Sequence, residues 1–125
     1  MRHPAHLLLH LATSVDCVAR LDPGVLGYLR GPGRDPLTHL VPAVACALER
    51  RGPLVVVFDD THEVTAPASV DVLRALIDVI PSATTVALLG RCPPPLDLTR
   101  HRLGCNVVDI GVEQLRLSDD ESLAL

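Results

Sequence analysis

A chain of 125 residues, 48% hydrophobic and 21% charged, has the apolar content and length for one folded domain and not for two. The balance excludes a disordered chain. A net charge of −4 gives no footprint for nucleic acid or an anionic membrane surface, and no apolar run nears the ~20 residues a spanning helix needs. All 11 basic residues are arginines, so the sequence holds no lysine. Cys17, Cys46, Cys92 and Cys105 have no CxxC spacing, which reads as reduced thiols of a cytoplasmic protein and not as a disulfide framework or a zinc site.

The opening MRHPAHLLLHLA sets a basic residue before an apolar run, but His6 and His10 interrupt it and no clear cleavage site follows, so a signal peptide is a weak alternative. From His6 to about Ala19, Leu7, Leu8, Leu11, Val15, Val18 and Ala19 recur at helical spacing until LDPG stops the pattern. GVLGYLR predicts a short second helix, and GPGRDP from Gly31 a loop. A further helix is expected from about Pro36 to Arg51, burying Leu37, Leu40, Val41, Val44, Ala45 and Leu48, kinked at Pro42 and stopped at RGP.

Leu54 to Phe58, LVVVF, has no polar alternation and predicts a strand covered on both faces, as in a parallel sheet between helices. A helix from Pro67 follows, with Val70, Val72, Leu73, Leu76, Ile77 and Ile80 apolar. Thr85 to Leu89 predicts a second strand ending at Gly90 and Arg91. CPPPLDLTRHRLG is read as a loop with at most a short helix, and Asn106 to Ile110 as a third strand. Ser118, Asp119, Asp120 and Glu121 form a capping-box pattern that opens a last helix.

The order predicts an α/β domain with a short parallel sheet of about three strands flanked by helices. Asp59 and Asp60 then lie at the carboxyl end of the first strand, the edge where open α/β sheets bind ligands. Two adjacent carboxylates there suit a nucleotide site, one to hold Mg²⁺ and one to orient the attacking water. Adjacent aspartates are equally a turn and helix-start device, Arg91 equally a solvated loop residue, and His62 is read as a loop or capping residue.

In LDPGVLGYL, PLTHLVPAVACALERRGPLVVVFDDTHEV, LLGRCPPPLDLTRHR and VDIGVEQLRLSDDESLAL, taken in order, the chain resembles the nucleotide-binding domain of the STAND ATPases, specifically the MalT-like and large LuxR-type transcriptional regulators. The resemblance implies an incomplete three-layer P-loop-type domain over residues 1–117, with 118–125 entering a helical lid. It makes Leu54 to Asp60 the Walker B strand, with Asp59 on the metal, Asp60 on the attacking water and Arg91 closing the sensor strand. It implies ATP and Mg²⁺ as cofactors.

Two departures are visible. Gly90 stands where the resembled pattern has serine or threonine, and no G-x-x-x-x-G-K-[ST] phosphate loop can exist without lysine. The chain therefore looks like the part of an ATPase domain that follows the phosphate cradle, and it is expected to be inactive alone. A homo-oligomer or a partner chain is expected to supply the missing strand, with no direct contact to nucleic acid or membrane. The alternatives are a non-catalytic interaction or dimerisation module, or a truncated remnant of such a regulator.

Overall fold

The computed structural model describes residues 3–124. Helix α1, Pro4–Val18, begins on a proline, whose fixed φ suits the first helical position, and buries Leu7, Leu8, Leu11, Ala12 and Val15. Val18, expected inside, is 84% exposed, because the helix ends there and the extended Ala19 is the residue that turns inward. Asp22 accepts a hydrogen bond from the Gly24 N–H and caps α2, Pro23–Arg30, which buries Leu29.

Asp35 opens the next helical run by accepting from Thr38 N–H and Oγ1 at 2.7 and 2.9 Å. Pro36–Leu40 is a π turn, and α3 follows over Val41–Arg51. The N–H groups of Leu40 and Val41 reach back five residues, to the carbonyls of Asp35 and Pro36. Pro42 is the cause: it has no N–H, and its ring would collide with the carbonyl of Thr38 in a regular helix. The expected kink is thus a widened turn just before the proline. It carries Leu37 to the surface and leaves Leu40, Val41, Val44, Ala47 and Leu48 buried, with Ala45 only partly covered. Gly52, at φ 88, closes α3 by donating to the carbonyls of Leu48 and Glu49.

Strand β1, Leu54–Phe58, leads through a turn of 3-10 helix at Thr61–Glu63 into α4, Pro67–Val79, and then β2, Thr84–Leu88, one residue earlier than the sequence predicts. The strands are parallel neighbours, in register from Leu54 opposite Thr84 to Phe58 opposite Leu88. Val56 joins the core formed by α1, α3, α4 and the π turn. Val55 and Val57 are 69% and 57% exposed. The expectation that LVVVF is covered on both faces is therefore corrected: helices pack on the Val56 face, and the opposite face is open.

The third predicted strand is absent among the described residues, where the sheet has two strands. After α5, Thr99–Leu103, Cys105 takes a left-handed turn at φ 56, and Asp109 is held by Arg102 through two hydrogen bonds of 3.1 and 3.0 Å. Residues 106–110 are thereby tied to α5 and pair with neither strand, with Val108 85% and Ile110 63% exposed. Short helices α6, Val112–Leu115, and α7, Asp119–Leu123, follow, and the second carries the predicted capping box: Ser118 N–H donates to Glu121 Oε2 and Glu121 N–H to Ser118 Oγ. The architecture is mixed α/β, with a two-stranded parallel sheet among helices; it is not a three-stranded, three-layer P-loop fold. No helix among the described residues is long and apolar enough to cross a membrane.

Candidate functional site

Parallel pairing in register brings the carboxyl ends of β1 and β2 to one edge, so Asp59 and Asp60 follow one strand beside Gly90 and Arg91 after the other. The edge is stitched by the backbone. The Leu89 N–H donates to the Phe58 carbonyl at 2.8 Å, and Thr61 donates both its N–H and its Oγ1–H to the Leu89 carbonyl at 2.8 and 3.0 Å. Thr61 is buried, and its role is one the sequence does not signal, since a single threonine after a strand has no distinguishing pattern.

The carboxylates themselves are exposed. Asp59 Oδ1 accepts the Asp60 N–H at 2.8 Å, and Asp60 adopts a left-handed conformation, φ 51 and ψ 40, that swings the chain out of the strand. Aspartate tolerates this region better than most residues. His62 is only 15% exposed at its side chain; Nδ1 lies 3.8 Å from Asp60 Oδ1 and Nε2 3.5 Å from Glu63 Oε1. The Arg91 N–H points at His62 Nδ1 from 3.5 Å, a weak contact at the long limit of a hydrogen bond. His62, read from sequence as a plain loop residue, thus lies between the two strand ends. The Arg91 side chain is exposed and pairs with no carboxylate among the described residues.

Gly90 has a local reason. A Cβ there would lie 3.0 Å from Thr61 Oγ1 and 3.3 Å from the Cys92 carbonyl, so serine or threonine is admitted only if the Thr61 side chain or the loop gives by a few tenths of an ångström.

Carboxylate oxygens are the donors Mg²⁺ prefers, but among the described residues no three His, Cys, Asp or Glu side chains converge as metal ligands. A triphosphate also needs a cradle of backbone N–H groups and a cation near its outer phosphates. The lysine-free chain has no such glycine-rich loop. These residues do not fit a Mg–nucleotide on their own.

No protein-family model matches the chain. It is similar to the HTH-type transcriptional regulator MalT of Yersinia enterocolitica serotype O:8 / biotype 1B (strain NCTC 13174 / 8081), with 31% identity over 71 residues. The match covers 57% of this chain and 8% of that protein. The chain is distantly related to that type of regulator and spans a small part of the relative's length.

Proposed function

We propose that this chain corresponds to part of the ATPase domain of a MalT-like transcriptional regulator, residues 1–117 belonging to the nucleotide-binding unit and 118–125 to the start of its helical lid. The observation that supports the reading best is the pairing of β1 with β2, which sets Asp59, Asp60 and Arg91 along one sheet edge, in a chain distantly similar to MalT. On this reading Asp59 is the metal-side carboxylate, Asp60 the one that acts on water, and Arg91 the residue toward the phosphates. The site is half built: ATP and Mg²⁺ would bind only together with a phosphate cradle supplied from outside these residues, and the chain alone is not a working ATPase.

Isothermal titration of the chain with Mg·ATP tests the half-site. Affinity no better than about millimolar, roughly 4 kcal/mol, is expected, and micromolar binding would overturn it. Joined to a glycine-rich, lysine-bearing phosphate segment, the chain is expected to gain Mg²⁺-dependent ATP binding that Asp59→Ala removes and turnover that Asp60→Asn and Arg91→Ala lower. Unchanged turnover in all three variants would return the aspartates to a turn-forming role. A second reading, a non-catalytic interaction module, is favoured by the open sheet face at Val55 and Val57 and by the exposed segment after α5.

A further inference from the structure

At the end of the domain opposite Asp59, the carboxyl end of α3 and the α1–α2 connection enclose a cleft of about 330 Å³. Leu21 and Ala47, both buried, and the half-buried Val25 form its apolar lining, and around it Arg20, Arg50 and Arg51 outnumber the single acid Asp22. None of these arginines is ion-paired among the described residues. Cys46 connects this cleft to a shallower one that contains Glu49. The chain also carries a segment of complementary character. Residues 111–123 hold Glu113, Asp119, Asp120 and Glu121 against the single base Arg116, interleaved with Val112, Leu115, Leu117 and Leu123, and all of them are exposed.

We propose that the cleft receives the 111–123 segment of a second copy of this chain, so that two copies exchange their acidic tails. The leucines would pack on the half-buried Val25, the acids of α7 would meet Arg50, Arg51 and Arg20, and Arg116 would face Glu49. Reciprocal exchange closes a two-fold dimer and satisfies both clefts at once. It also covers apolar side chains that, in a single copy, are left in water. Charge complementarity selects this occupant: against Asp22 alone the three arginines leave a net positive rim, which an apolar segment without acids would not neutralise.

Sedimentation velocity on the full chain tests this. Wild-type protein is expected to dimerise with rising concentration and to dissociate as salt is added, since the contacts are between charges at a surface. Arg50→Glu/Arg51→Glu and Asp119→Arg/Asp120→Arg are each expected to weaken association by about tenfold or more. An equal mixture of the two should recover it, because each then offers the other an opposite charge in both clefts. If the α3 variant does not fold by circular dichroism, Arg50→Gln/Arg51→Gln replaces it in the mixture, where its acidic tail still meets the unaltered arginines of the other variant and its own cleft no longer repels the arginine-bearing tail. A wild-type chain that stays monomeric, even one with Cys46 shielded from thiol reagents by its own tail, overturns the proposal, and so does a mixture that associates no better than either variant alone.

Discussion

At the scale of single residues, the edge of the sheet is decided by two backbone requirements and one hydroxyl. Thr61 Oγ1 crowds the space beside the exposed Gly90, so Gly90→Ser is expected to destabilise the fold by about 1 kcal/mol as the Thr61 side chain or the loop shifts to admit the added atoms. Urea denaturation measures it, and an unchanged midpoint would show that the loop after β1 yields. Asp60 occupies the left-handed region, where a β-branched side chain is strained. Asp60→Val is expected to cost about 1–2 kcal/mol, while Asp60→Asn, which tolerates the same backbone, should remain within about 0.5 kcal/mol. The asparagine variant therefore removes the charge without disturbing the turn and is the right probe of any nucleotide role. In α4, Ser69 is fully buried and its hydroxyl has no hydrogen-bond partner. Ser69→Ala is expected to raise stability by about 1 kcal/mol, since an unpaired buried hydroxyl is a cost that alanine lacks. A lower melting midpoint would mean that this hydroxyl is bonded in solution.

At the scale of elements, local signals written in side-chain type were legible and those set by pairing were not. The spacing of Leu7, Leu8, Leu11 and Val15, the stop at Gly52 and the Ser118 capping box each carry their own cause within a few residues, and each matches the structure. Residues 106–110 read as a strand because Val107, Val108 and Ile110 favour extended backbone, but a strand needs a partner edge, and the Arg102–Asp109 pair holds this segment elsewhere. The same elements predict an acid response. Hydrogen bonds from the Thr38 N–H and hydroxyl hold the Asp35 carboxyl below its ordinary value, and the hydrogen bond from Arg102 does the same for Asp109. A carboxyl lowered in the folded state stabilises it fully above the unfolded pKa of about 3.9, and loses that contribution as pH falls through the lower folded value. Carbon-detected titration should therefore show both midpoints below the unfolded reference. Asp109→Asn should free residues 106–110, seen as faster amide exchange there, while the thermal midpoint of the core is unchanged.

At the scale of the whole molecule, the question is what the sheet separates. LVVVF is apolar on both faces, so composition alone cannot distinguish a strand between two helical layers from one with a bare face; only the packing of α1, α3 and α4 against Val56 does so. The site edge shows the same division: the placement of Asp59 beside a second strand end followed from the order of elements, whereas the pinning by Thr61 depended on a contact across 28 residues of sequence. Threonine substitutions convert this into a measurement, because threonine keeps the shape and strand preference of valine and adds only a hydroxyl. Val56→Thr buries that hydroxyl in the core and is expected to cost about 1–3 kcal/mol. Val55→Thr and Val57→Thr leave it in water, and each should stay within about 0.5 kcal/mol of the parent while making the surface less apolar. Urea denaturation of the three variants at low protein concentration reads the difference directly. Equal costs at all three positions would mean that the Val55 and Val57 face is covered in solution, and the one-sided sheet described here would then be half of a larger layered structure.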